Sequence, residues 1–161
     1  MQSALSTTGT AFASTGFTPY GMRLPPGADL KQSLQGFAQQ QAIAAGVIVT
    51  AVGSLHQASL RFASQDQATL LTGRFEIVSL VGTLSVAGVH LHLAIADREG
   101  QVRGGHLMPG CLIYTTAEIV VGALAELTFT RVLDAQTGYR ELAIAPLSSL
   151  SRPPTDPPPH E

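Results

Sequence analysis

The stretch from Val89 to Leu107 can be laid out residue by residue, and it restricts the fold more than any other segment. Val89, Leu91 and Leu93 alternate with His90 and His92. In an extended strand, side chains two apart share a face, so the two histidines project together and away from the leucines. Asp97-Arg98-Glu99-Gly100 reads as a type I turn closed by a glycine in the left-handed region, the usual three-residue hairpin loop. With Arg98, Glu99 and Gly100 in that loop, Asp97 pairs with Gln101. Counting back places His92 opposite His106, with His90 diagonal to it. Cross-strand neighbours on one face lie within reach of one another, so three imidazoles are expected to converge there.

The rest of the chain fits around such a hairpin. Tyr20 to Leu24 reads as a short strand, stopped by Pro25-Pro26-Gly27. The one convincing helix runs from Asp29 to about Ala45, with Leu30, Leu34, Phe37 and Ala38 on one face and Gly46 as its end. Strand patterns follow over Val47 to Val52, Ser59 to Ala63 and Arg74 to Leu84. After the hairpin they resume over Ile113 to Val121, Leu127 to Leu133 and, past an Asp134–Gly138 turn, Tyr139 to Ile144. One helix with seven or eight strands joined by short turns indicates a single α+β domain. Its sheet is expected to be mostly antiparallel and covered by the helix on one face.

Residues 1–18 are rich in Ser, Thr, Ala and Gly and read as a flexible leader. They lack the basic start and apolar centre of a signal peptide. Residues 146–161 are proline-rich and are expected to be extended and solvated. The domain therefore spans 19–145. No stretch is apolar for long enough to suggest a membrane helix. With a single cysteine, Cys111, no intramolecular disulfide can form, and a cytoplasmic protein fits. Cys111 itself reads as a small buried hydrophobe.

Charged residues make up only 12% of the chain against 45% apolar, which suggests surface lost to subunit association. The net charge of −2 and the absence of any basic run argue against a strong footprint on nucleic acid.

His90, His92 and His106 are the candidate metal ligands. Neutral imidazoles suit a divalent transition metal, zinc first and iron or nickel next, and three of them leave a coordination position open. The alternative is three polar residues on a solvated face or a subunit interface. Glu76 leaves the face of Phe75 and Ile77; it can contact the metal, act as a general base, or form an ion pair with Arg74 or a neighbouring subunit. Glu118 can fix a ligating imidazole by accepting its other N–H, or form an interface salt bridge. Asp97 is a turn-former, and Gly104-Gly105 allows close backbone approach beside His106. His56 and His160 have no histidine neighbours and stay outside the site. No Gly-x-Ser-x-Gly elbow occurs.

Several motifs resemble those of the PPC domain, the plant and prokaryote conserved domain. They are Arg23-Leu24-Pro25-Pro26-Gly27-Ala28-Asp29-Leu30, Gly53-Ser54-Leu55, Gly73-Arg74-Phe75-Glu76-Ile77, His90-Leu91-His92, Asp97 to Gly100, Gly104-Gly105-His106-Leu107, Thr115 to Val120 and Thr137-Gly138-Tyr139. The resemblance covers about Tyr20 to Ala145. It implies a single-domain fold that assembles as a homotrimer, and it brings a DNA-binding label. That label comes largely from plant relatives, in which an Arg-Gly-Arg-Pro hook precedes the domain; no such peptide occurs in this sequence. The histidines belong to the prokaryotic branch. Together these observations lead to a metal-binding regulatory or DNA-associated domain, with a regulatory protein as a further partner. The alternative is a small metal-dependent enzyme of hydrolase or lyase type, with Glu76 or Glu118 moving the proton.

Overall fold

The computed structural model describes residues 10–147, so residues 1–9 of the expected leader and 148–161 of the expected tail lie outside the described residues. The elements run β1 (Phe17–Leu24), α1 (Leu30–Gln40), β2 (Gly46–Arg61), β3 (Thr69–Ser85), β4 (Gly88–Ala96), β5 (Val102–Leu107), β6 (Leu112–Leu124), β7 (Leu127–Leu133) and β8 (Arg140–Pro146). All pairings are antiparallel. The expected mostly antiparallel α+β domain with one helix is observed, with its eight strands divided between two sheets. Six strands take the order β1-β6-β2-β3-β4-β5, and β5 returns to pair with the end of β2. β7 and β8 form a separate hairpin.

The core lies on the inner side of the larger sheet. Leu55, Leu60, Leu91, Leu93, Leu107 and Ile113 are fully buried there, against Leu30, Leu34 and Ala38 of α1. Asp29 caps α1 by accepting from the Gln32 backbone N–H at 3.0 Å, and its second carboxylate oxygen accepts from Gly110 N–H at 2.6 Å. This one side chain ties the helix start to the loop before β6. Asp29→Ala is expected to cost about 1–2 kcal/mol, read as a shift in the urea midpoint at constant slope.

Several boundaries differ from expectation; β3, for example, begins at Thr69 rather than Arg74 and β6 runs on to Leu124 rather than Val121. α1 ends at Gln40 rather than near Ala45, because Ala42 adopts a left-handed φ of 51° that breaks the helix before Gly46. Val47 to Val52 and the first part of the expected Ser59–Ala63 strand, Ser59 to Arg61, belong to one strand, β2, which ends before Phe62 and Ala63. Irregularities near Gly53 and between Leu55 and Gln57 shift the register without ending the strand. β1 begins at Phe17, inside the segment read as leader. Cys111 is buried as expected; its Sγ accepts from Ser59 N–H at 3.2 Å, and burial pushes its thiol pKa up to about 11.

The smaller sheet docks beside β3. Phe129 N–H donates to Ala44 O at 2.8 Å, and Ser85 Oγ donates to Phe129 O at 2.9 Å. That docking carries Arg131, at the middle of β7, toward the outer face of β3 and β4.

Candidate metal centre

The turn between β4 and β5 forms as its residues dictate. Asp97 Oδ1 accepts from the Glu99 and Gln101 backbone N–H groups at 3.0 and 2.9 Å, Asp97 N–H donates to Gln101 O, and Gly100 has φ of 78°. The register that follows is Ala96↔Val102 through His92↔His106. Beyond His106 the strand changes partner: His106 and Leu107 face Arg61 and Leu60 of β2. A side chain on Gly105 would meet the Arg61 carbonyl oxygen at 2.8 Å, so the glycine permits that crossing.

His90, His92 and His106 come together on the outer face, with one potential ligand nitrogen from each lying within 4.8 Å of the others. Their ring centroids are 5.0–5.5 Å apart. His92 is exposed, while His90 and His106 are half-buried. Three nitrogens on one tetrahedral zinc ion stand roughly 3.4 Å apart, given bonds of about 2.0–2.1 Å. Modest side-chain rotation would close the observed set to that spacing.

The surroundings keep two of these rings neutral. Burial, then Lys31, then His90 lower the His106 pKa to about 4. Burial, then Arg131 and His92, lower that of His90. A neutral imidazole has the free lone pair that a metal requires, so the donor chemistry fits a transition metal at pH 7.

Neither acidic candidate joins the cluster. Glu76 is exposed on β3, paired with Ser54 and Ala96, four residues along β4 from His92. Glu118 is exposed on β6, between Arg23 of β1 and Val52 of β2.

Three cations at the site escape the sequence reading. Arg131 Nη1 donates to His90 Nδ1 at 3.1 Å, and its Nη2 donates to Thr83 Oγ1 at 3.0 Å. Lys31 Nζ donates to Leu107 O at 2.9 Å, and burial lowers its pKa. Arg61 is the cross-strand partner of His106. A cavity of about 910 Å³ opens beside the cluster, lined by His90, His106, Arg61, Arg131, Arg140 and Glu141 among others. Local periodicity carries no signal for these residues, because the second sheet brings in Arg131, the β2–β5 crossing Arg61 and α1 Lys31.

Fold and site together define a small antiparallel-sheet domain that displays a three-histidine cluster. The Plants and Prokaryotes Conserved (PCC) domain matches residues 11–125, and the chain belongs to that family, the PPC domain of the resemblance above. It is similar to a bifunctional protein GlmU from Synechococcus sp. (strain JA-3-3Ab), at 54% identity over 83% of this chain but only 22% of that protein. The chain thus spans about a fifth of that curated relative. Among solved structures, a hypothetical protein from Salmonella enterica is 46% identical with a TM-score of 0.82, covering 84% of this chain and 98% of that one. A metal-containing protein from Archaeoglobus fulgidus is 26% identical with a TM-score of 0.72, covering 83% and 99%. Among the described residues, no helix is long and apolar enough to cross a membrane.

Proposed function

We propose that this protein is a transition-metal-binding regulatory domain whose ion is held by His90, His92 and His106. The observation that carries this reading is the convergence of three ligand nitrogens within 4.8 Å on a hairpin whose register its own turn fixes. The metal-containing relative from Archaeoglobus fulgidus agrees with it. Zinc suits the all-imidazole set, with iron or nickel as the next choices. The ion when bound would supply Lewis acidity and an open coordination position; the protein supplies a fixed, partly dry face.

In this reading the chain works as a homotrimer. Val49 and Val52 on β2 and Val78 and Val81 on β3 are each about half exposed, at 52–55%, on central strands of the larger sheet. Exposed β-branched residues there call for a covering surface, and a second copy of the chain would provide one.

Elemental analysis tests the site: about one metal per chain is expected in wild type, and none above background in His92→Ala. His92 is exposed, so its removal leaves the core intact. No metal in wild type after incubation with zinc, nickel and iron would sink the proposal. The enzyme alternative is weaker, since Glu76 and Glu118, its proton-transfer groups, stand apart from the histidines in one protomer. DNA association is also disfavoured by the net charge of −2. A labelled AT-rich duplex at low salt is expected to show no shift; salt-sensitive binding would reverse that ranking.

A further inference from the structure

We propose that the groove beside His90 is a binding site for a small oxyanion-bearing molecule, and that Arg131 couples it to the histidine cluster. The proposal rests on the metal-binding reading but adds a second ligand to it. Arg131 lies outside the stretch matched by the family, residues 11–125.

A guanidinium only donates, so the Arg131–His90 hydrogen bond makes His90 Nδ1 the acceptor and places the neutral ring's proton on Nε2. His90 cannot keep that bond and also ligate a metal. If it ligates through Nε2, the proton moves to Nδ1, which then faces the Arg131 N–H as a second donor. If it ligates through Nδ1, the lone pair Arg131 used is taken. On either path Arg131 lets go of His90, and no proton is gained or lost by the ring.

The released guanidinium stays anchored to Thr83 and faces a groove ready for an anion. Arg61 is steadied there by Gln65 O at 3.3 Å, and Arg140 by Arg131 O at 3.1 Å. Neither these two nor Arg131 is ion-paired: among the described residues the salt bridge present is Arg98–Glu99. Asp66 and Glu141 also line the groove, and Glu141 accepts from Thr137 Oγ1 at 3.0 Å. Three arginines against two carboxylates leave the groove net positive in a chain of net charge −2. Arginine forks match carboxylate and phosphate oxygens. The cavity, about 910 Å³, has room for an organic body beyond the acid group.

Because coupling is reciprocal, an anion that draws Arg131 away frees His90 for metal, and metal bound at His90 frees Arg131 for the anion. Zinc affinity, measured by competition with a chromophoric chelator at constant ionic strength, tests this. Replacing part of the chloride with inorganic phosphate should tighten zinc binding by about fivefold in wild type, the worth of one released hydrogen bond. Arg131→Met should bind zinc at least as tightly as wild type in chloride and lose the phosphate response. Imidazole ¹⁵N spectra should show the Nε2–H tautomer with a free Nδ1 acceptor at His90 in metal-free wild type, and once zinc is bound either an Nδ1–H ring or a zinc-ligated Nδ1, with no free Nδ1 acceptor in either case. A phosphate response retained in Arg131→Met, or an Nδ1–H tautomer in the metal-free protein, overturns the coupling. Should wild type bind no zinc in either buffer, the metal reading itself fails. Phosphate must then still perturb the His90 resonances of the metal-free protein, and an unmoved spectrum overturns the anion site as well.

Discussion

Chelation is expected to lower the melting temperature of the metal-loaded protein by about 10 °C and to leave that of His106→Ala unchanged. A ligand that binds only the folded state stabilises it by about 2.7 kcal/mol when present at a hundred times its dissociation constant. For a domain of this size each kcal/mol moves the midpoint by roughly 3–4 °C. The three imidazoles are already held on adjacent strands, so little ordering cost is left for ion binding. His106 is the informative position because it sits where β5 passes from β4 to β2. An ion there would tie that crossing to β4. Removing His106 should leave a protein whose melting ignores both added metal and chelator. A mutant that responds to chelation as wild type does would place the stabilising ion elsewhere.

The hairpin was legible in the sequence because everything that sets it is local. Asp97 and Gly100 specify the turn, the turn specifies the register, and the alternation of leucine with histidine specifies the face. The long β2 was not legible as one strand, since the irregularities near Gly53 and Gln57 read locally as stops although the backbone continues to pair through them. The end of α1 was hidden for a related reason. Gln41 to Ala45 is good helical sequence, yet the helix closes in a Schellman cap: Ala42 is left-handed, Ala42 N–H donates to Gln39 O at 3.1 Å and Ile43 N–H to Ala38 O at 2.9 Å, without the glycine that usually marks such a cap. Glu76 and Glu118 drew attention as carboxylates in apolar strands, yet only pairing could show how far along the sheet they lie from the histidines. Arg131 lies 41 residues from His90 and reaches it from a different sheet. No periodicity links the two. The metal candidates were thus readable from one segment, whereas the polar environment that neutralises and competes for them is a product of the tertiary fold.

Gly82→Ala is expected to cost about 3–5 kcal/mol and to abolish metal binding together with stability. Gly82 faces Leu91 across the β3–β4 ladder, flanked by the Val81↔His92 and Thr83↔His90 pairs. Its φ of 136° is one that residues with a side chain rarely adopt. A Cβ there would press into the His90 carbonyl oxygen and stand 3.0 Å from Leu91 Cα. Both are backbone atoms of a central strand, so no side chain can swing aside to relieve the contact. Strained dihedrals of this kind cost about 1–3 kcal/mol, and overpacking adds about as much. Against a typical domain stability of about 5–15 kcal/mol, the loss is large. It also falls where β4 sets the direction of His90 and His92, so whatever folded protein remains should hold metal poorly. Val102→Ala is the control: Val102 is exposed on β5, outside the valine patch of β2 and β3, and its loss should change stability by roughly 0.5 kcal/mol or less. Urea unfolding of the two variants separates the cases. A Gly82→Ala cost near that of Val102→Ala would mean that β3 and β4 can part locally without loss. The rigidity invoked for the histidine site would then be absent.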